Sequence, residues 1–132
     1  MKYQPDTRSR KSLGDTNSLL EFGAAVQQGS EHPIGKAFLE AAKAQCINLS
    51  GVKDFKSITG FGVEGWVSGK QVLVGSRSWL RQRGIDTKPC EVIADLWESS
   101  GRTVAWVVVS NSLQGVVGIE DQLICLLYTS PS

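Results

Sequence analysis

The sequence has little of what most catalytic and metal-binding sites need. Its 132 residues include one histidine, His32, and three cysteines (Cys46, Cys90 and Cys125) that lie far apart without a C-x-x-C pair. This spacing excludes a zinc site of the Cys/His type. A lone histidine, with no serine or cysteine in an elbow motif, gives no basis for a nucleophilic triad. We therefore predict no metal site, no catalytic residue, and cysteines that are reduced thiols in a cytosolic setting.

Long hydrophobic runs and an excess of one charge are also missing. No apolar run reaches the roughly 18–20 residues that a membrane helix needs, so we expect no direct membrane contact from this chain. The balance of 14 basic against 13 acidic residues gives a net charge of +1, which provides no strong field for nucleic acid. The length predicts one domain, too short to include a second, catalytic one.

Glycine, by contrast, is abundant, with 14 residues. The stretch GFGVEG, from Gly60 to Gly65, matches the G-x-G-x-x-G pattern of dinucleotide-binding loops, and Asp86 lies at about the distance expected of a ribose contact. That interpretation needs a helix directly after the glycines. The following residues, VEGWVSGKQVLVGS, instead alternate and turn at Ser68-Gly69, which predicts a β-hairpin. We therefore reject the dinucleotide interpretation.

The periodicity along the chain predicts an α+β domain with a mainly antiparallel sheet. After N-cap candidates at residues 15–18, a first helix ends near Gly29, and a second starts at Pro33, where proline suits the first turn. Further helices are expected over SRSWLRQRG and Glu91–Ser99. The predicted strands are Phe55–Thr59, Gly62–Val67, Lys70–Val74, Thr103–Val109 and Leu113–Ile119. Because tight turns join most strands, helix pairs should flank an antiparallel sheet in a two-layer sandwich.

Both ends of the chain break from this pattern. Residues 1–14 are polar and patternless, which is typical of a disordered tail or a junction. The last residues, ICLLYTSPS, run from an apolar patch into a Ser/Pro tail, and we exclude them from the predicted fold as a non-native tail.

Few side chains are candidates for chemistry. His32 lies at the start of the second helix, where a histidine commonly caps the helix, although a neutral flat ring there can also stack on a purine. Glu31 and Glu64 are possible as an acid pair, but nothing in their spacing brings them together, and solvated surface charges are the simpler interpretation. The four tryptophans (Trp66, Trp79, Trp97 and Trp106) lie in segments with core periodicity, so we expect them to pack in the core.

Taken in order, the motifs resemble one known family. The stretches SEHPIGKAF, ITGFGVEGWVSGKQVLVGS with WLRQRGI, and GRTVAWVVVSNSLQGVVGIEDQL are similar in order and spacing to the nucleotide-binding (N) domain of heavy-metal-transporting P-type ATPases of the copper-exporter type. The likeness covers about Asn17 to Leu123. It implies an ATP-binding domain over residues 15–120, and a return toward a phosphorylation domain at the start of residues 121–132.

The resemblance also implies which residues hold the ligand. In this family adenine lies against the histidine of Ser-Glu-His-Pro, which corresponds to His32 beside Glu31, and the G-x-G loop that approaches the nucleotide corresponds to Gly60 and Gly62. The family's later Gly-Asn pair is Gly75 followed by Ser76 here. Its adenine-reading glutamate corresponds to Gln27, which keeps a hydrogen-bond acceptor but loses the charge. These two departures imply weaker binding or relaxed base preference.

The resemblance implies that the chain is a cytoplasmic part of an integral membrane pump. The family's Asp-Lys-Thr-Gly-Thr phosphorylation motif is absent, and Asp121 is given no catalytic role. The expected ligand is ATP, with Mg²⁺ bound mainly by the nucleotide and the missing domain, and the expected partners are the phosphorylation and actuator domains of a pump, with copper as the cargo. The alternative function is a non-enzymatic interaction domain of the same fold that has lost nucleotide binding, for which Gln27 and Ser76 are the evidence.

Overall fold

The computed structural model describes residues 19–120 and 123–128, with side chains up to residue 119. The N-cap candidates at 15–18, the 1–14 segment, Asp121 and residues 129–132 lie outside the described residues. The helices and strands follow in the order α1 (residues 19–26), a 3-10 turn (Gln27–Gly29), α2 (Pro33–Ala44), β1 (Val52–Ile58), β2 (Gly62–Val67), β3 (Lys70–Gly75), α3 (Arg77–Gln82), α4 (Lys88–Ser99), β4 (Thr103–Val109), β5 (Ser112–Glu120) and β6 (Leu123–Tyr128).

The described strands form one antiparallel sheet in sequence order, from β1 at one edge to β6 at the other. Ser68-Gly69 and Ser110-Asn111 connect two of the hairpins with positive φ at both residues. Such paired positive φ angles give a turn whose twist matches that of the strands it joins. The predicted α+β class and the mainly antiparallel sheet are therefore confirmed.

Helices cover both faces of the sheet, so the domain has three layers rather than the predicted two. Val72, Val74 and Val107 pack with α1 and α2 on one face. The intervening residues Leu73 and Trp106 pack with α3 and α4 on the opposite face. Because successive side chains of a strand point to opposite faces, an uninterrupted apolar strand such as TVAWVVV must be covered twice. The predicted helix pairs are present, one on each face.

Several predicted boundaries need correction. Strand β1 starts at Val52 rather than Phe55, since its pairing with β2 is irregular between Lys53 and Lys56 and interrupts the alternation by which a strand is recognised. Helix α4 starts at Lys88 rather than Glu91. Its Pro89 lies within the first two helical positions, where a missing N–H costs nothing, so this proline does not mark a boundary.

Leu123–Tyr128 is the largest correction to the predicted topology. These residues, of which Ile124 to Tyr128 were excluded from the predicted fold, form β6 and pair with β5 from Gly115 to Glu120. The run ICLLY has no alternation because it is apolar throughout, and periodicity alone cannot identify a strand of that kind.

Three of the four tryptophans are buried, as predicted: Trp79, Trp97 and Trp106. The prediction was wrong for Trp66, which is 43% exposed. Trp66 pairs with Lys53 on the edge strand β1, most of whose residues are exposed. Within β2 it lies on the face opposite the buried residues Val63, Gly65 and Val67, so the alternation of the strand does not place it with them.

Candidate functional site

His32 begins helix α2 and caps it. Its Nδ1 accepts a hydrogen bond from the Ile34 N–H at 3.1 Å, and its own N–H donates to Ser30 Oγ at 3.1 Å. Pro33 follows as the first helical residue. The side chain thus satisfies one of the free N–H groups at a helix start. An accepting Nδ1 places the proton of the neutral ring on Nε2, and the ring stays exposed to solvent.

Gln27 lies just before His32, in the 3-10 turn that follows α1, and is only 3% exposed. Its Oε1 lies against Gly35 of α2, where an added Cβ would be 2.8 Å from it. No side-chain hydrogen bond joins the Gln27 amide to another described residue. Within the described part of the chain, the one fully enclosed side-chain polar atom without a partner is Arg77 Nε.

Gly62 and Gly75 face each other across the β2–β3 pair. A Cβ on Gly62 would lie 2.2 Å from the Val74 carbonyl oxygen, and one on Gly75 would lie 2.3 Å from the Phe61 carbonyl oxygen. The close approach expected of these glycines is therefore satisfied by the protein's own backbone. Gly60 differs, because its φ of +84° requires glycine while the space around it is open.

Ser76 caps the helix that follows this glycine pair. Its Oγ accepts from the Trp79 N–H at 3.4 Å, and its own N–H donates to the Phe61 carbonyl oxygen at 3.0 Å. The residue that stands at the family's asparagine position thus has a structural use in starting α3 and in closing the turn before β2.

The sheet brings these two groups of residues to one end. Gly75 pairs with Trp106 on β4, and Thr103, three residues further along β4, lines a cavity shared with His32. At about 3.3 Å per residue, Thr103 lies roughly 10 Å along β4 from Trp106, the partner of Gly75. On the other side, Gly29 packs on the Phe55 ring of β1, three residues before Ile58, which pairs with Gly62. Both routes place the glycine pair and the start of α2 at the same end of the sheet.

A cavity of about 440 Å³ lies beside the first turns of α2, and of the predicted residues only His32 lines it. Its other lining residues come from α2 and from the paired ends of β4 and β5: Pro33, Ile34, Lys36, Ala37, Glu40, Thr103 and Ile119. A second cavity, of about 330 Å³, adjoins Trp66 near the Ser68-Gly69 turn. Glycines 60, 62 and 75 line neither cavity, so the predicted site is a surface around His32 rather than an enclosed pocket.

The remaining acidic candidates have no shared geometry. Glu31 is exposed. Glu64 forms an ion pair with Arg83 at 3.4 Å, which gives it a structural partner. Asp86, which matched the ribose-contact spacing, accepts a hydrogen bond from the Lys88 N–H at the start of α4. The residues that the structure describes contain no group of acidic, histidine and cysteine side chains suited to a metal ion.

Two neighbours of this site were missed by the sequence interpretation. Gly35 accommodates the Gln27 amide, and the Phe61 carbonyl oxygen holds the Ser76 N–H. Gly35 carried a usable signal, because glycine inside a helix costs about 1 kcal/mol relative to alanine and usually has a packing reason. Phe61 acts through its backbone carbonyl oxygen, so the type of its side chain gave no signal of this role.

Comparison with known proteins shows that the chain is similar to copper-transporting ATPases. No protein-family model matches the chain. The chain is 37% identical over 123 residues to a probable copper-transporting ATPase PacS of Synechococcus elongatus and 36% identical over 107 residues to copper-transporting ATPase 2 of Rhizobium meliloti. These alignments cover 91% and 81% of the chain but only 16% and 13% of the relatives, so the chain spans about a sixth of their length or less.

Solved structures give the same result. The N-domain of HMA8, a copper-transporting P-type ATPase, superposes with a TM-score of 0.64 at 26% identity, covering 79% of this chain and 89% of that domain. A zinc-transporting PIB-type ATPase superposes with a TM-score of 0.67 at 26% identity, covering 86% of this chain and 17% of that one. Among residues 19–120 and 123–128, no helix is long and apolar enough to cross a membrane.

Proposed function

Because the chain is homologous to copper-transporting P-type ATPases and has the fold of their N-domain, we propose that it binds ATP for a metal-translocating pump. In that pump it holds the nucleotide while the γ-phosphoryl group is transferred to an aspartate of a separate phosphorylation domain. Phosphoryl transfer depends mainly on positioning and electrostatics. A domain that only holds and orients ATP can therefore promote the reaction without a catalytic residue of its own.

The observation that carries the proposal is the state of the His32 ring. Its Nδ1 is engaged by the Ile34 N–H, while the ring itself remains exposed beside an open cavity. A ring held at one edge and free on its face is suited to stack on a flat base, because its orientation is already restrained before the ligand arrives. We assign adenine to this face, with Glu31 at its rim.

Gln27 supplies the base contact in this proposal. Its amide is nearly buried, lies beside Gly35 in the first turns of α2 and has no side-chain partner among the described residues. The amide oxygen can accept from the adenine amino group. The amide nitrogen can also donate to a keto oxygen, so Gln27 should discriminate adenine from guanine less sharply than a carboxylate would.

The triphosphate is assigned to the glycine side of the site. Gly60 leaves open space at its missing side chain, and it lies in the turn of residues 59–61, next to the strand ends where Gly62, Gly75 and Ser76 are held by backbone contacts. This turn offers a rigid, uncluttered surface for a phosphate chain. Mg²⁺ enters with the nucleotide and is bound mainly by it and by the phosphorylation domain.

The relatives' names support the remaining assignments. We propose copper as the cargo of the parent pump, the phosphorylation and actuator domains as this domain's partners, and the cytoplasmic side of the membrane as its location. The second candidate function is an interaction domain without nucleotide binding. Besides the glutamine at position 27, it is favoured by Ser76, whose side chain caps α3 in this structure.

The decisive experiment separates the ring of His32 from its capping role. Replacing histidine by asparagine keeps a side-chain acceptor at the helix start but removes the ring, and His32→Phe keeps a ring but removes the cap. We expect His32→Asn to weaken ATP binding by about 1–3 kcal/mol, the cost of losing a base-stacking aromatic, with little change in unfolding free energy. His32→Phe should keep most of the affinity and lose about 1 kcal/mol of stability.

Calorimetric ATP titrations and urea denaturation of the three proteins measure both quantities, and GTP titrations report base preference. Equal ATP affinity of the wild type and His32→Asn would refute the stacking role. Absence of any amide shift around His32 and Gly60 at millimolar ATP would support the interaction-domain candidate instead.

A further inference from the structure

The contact between α2 and the turn before it points to a residue that controls the base-reading amide. Gly35 lies in the first turns of α2, where a Cβ would meet Gln27 Oε1 at 2.8 Å, Ser30 Oγ at 3.2 Å and Ser30 Cβ at 3.3 Å. All three atoms belong to the segment that carries Gln27 and leads into His32. The Gln27 amide therefore lies in the space that a side chain at position 35 would need.

This glycine is not explained by backbone conformation. The glycines that need a left-handed conformation are others, such as Gly60 and Gly84, and Gly35 has ordinary helical geometry. Glycine at an interior helix position is unfavourable relative to alanine. The atom it admits is the end of a flexible side chain, so a methyl group there would displace the amide rather than break the helix.

We propose that Gly35 is a positioning residue for nucleotide recognition, acting through Gln27. This inference rests on the proposed ATP-binding function. With glycine at position 35, the Gln27 amide is held beside the start of α2, without a competing side-chain partner among the described residues, so it meets the base without first breaking another hydrogen bond. A methyl group at position 35 moves the amide and misaligns that contact.

A double-mutant cycle on the full chain tests the route of the effect. Gly35→Ala, Gln27→Ala and the double variant are titrated with ATP and compared with the wild type. We expect Gly35→Ala to weaken ATP binding by about three- to tenfold, the range of one hydrogen bond, and to have almost no effect when Gln27 is already alanine. In nitrogen–proton NMR spectra, the Gln27 side-chain NH₂ resonances should shift on ATP addition in the wild type only.

The variant is expected to fold, because alanine favours the helix. Gly51→Ala is the matched control, since a Cβ at Gly51 meets nothing and no positive φ requires glycine there. It should leave ATP affinity unchanged. An equal loss of affinity from Gly35→Ala in both Gln27 backgrounds, or no loss in either, would overturn the positioning role while wild-type ATP binding upholds the proposed function. A wild type that binds no ATP would overturn both.

Discussion

At the scale of single residues, the glycines of the candidate site are required for different structural reasons. Gly60 is required by its backbone angle alone, Gly62 by both its angle and contact with Val74, and Gly75 by contact with Phe61 and the Trp79 ring. The G-x-G motif thus reflects, in large part, the closure of the β2–β3 hairpin end. A motif with this packing role will show large stability effects when it is mutated.

Replacing Gly62 by alanine tests this directly. The added methyl group would lie 2.2 Å from the Val74 carbonyl oxygen, in a strand pair that cannot move apart without losing hydrogen bonds. We expect the free energy of unfolding to fall by about 1–3 kcal/mol, as in overpacked sites. Gly60→Ala, which meets open space but keeps an unfavourable φ, should lose about 1 kcal/mol. Urea denaturation of both variants, with Gly51→Ala as the control, measures these losses of unfolding free energy. A loss for Gly62→Ala no larger than that for Gly60→Ala would contradict the prediction.

At the scale of elements, helix α4 is held by a buried face and an exposed network of charges. Cys90, Ala94 and Trp97 pack on the sheet. On the outer side, Arg81 contacts Glu91 at 2.7 Å and Arg77 contacts Asp95 at 2.7 Å, which joins α3 to α4. Hydrogen bonds from the Thr87 hydroxyl and from Arg81 lower the pKa of the Glu91 carboxyl. Exposed pairs of this kind contribute little singly, so the apolar face decides the docking of α4.

The buried thiol of Cys90 makes that docking sensitive to alkaline pH. Burial raises the pKa of Cys90 from 9.0 to about 11. Above pH 9 the thiol ionises in the unfolded chain but stays protonated in the folded one, so the unfolded state binds fewer protons and is favoured as pH rises. We expect Cys90 to account for a loss of about 1–2 kcal/mol of unfolding free energy between pH 9 and pH 11.

Chemical denaturation at pH 8, 9, 10 and 11 for the wild type and Cys90→Ala measures this loss as a difference in slope. All other ionisable groups are common to the two proteins, so the difference between their stability curves reports Cys90 alone. Parallel stability curves for the two proteins would show that the Cys90 thiol is not kept protonated by its packing.

At the scale of the whole molecule, a continuous antiparallel sheet with helices on both faces brings the residues proposed to bind the nucleotide to one end. Gly62, Gly75 and the first turn of α2 come from distant parts of the sequence and meet there through strand pairing. The opposite end carries the Ser68-Gly69 turn and the partly exposed Trp66.

We expect the isolated chain to bind ATP without hydrolysing it. The sequence has no Asp-Lys-Thr-Gly-Thr acceptor motif, and the described residues contain no cluster suited to a metal ion. Phosphate release with MgATP should equal that of buffer, both for the wild type and for His32→Asn. Release that depends on protein concentration and survives repeated purification would contradict the proposal that this domain only holds the nucleotide.

The sequence by itself determined the parts of this protein that depend on local periodicity. The bounds of β2 and β4, the start of α2 at Pro33 and the hairpin after the glycines follow from alternation, turn residues and proline geometry, each of which acts within a few positions. The resemblance of its motifs also identified the homologous family. The rest required contacts between distant segments.

Only the tertiary structure decided what those motifs touch. It decided that Gly35 accommodates Gln27, that Gly62 and Gly75 face each other, that Trp66 is partly exposed and that Leu123–Tyr128 adds a strand. It also placed helices on both faces of the sheet, where the sequence pattern suggested one. Burial and close approach depend on how the elements pack against one another, which local patterns do not specify. Strand pairing brings Gly62 to Gly75, and the packing of α2 on the preceding turn brings Gly35 to Gln27.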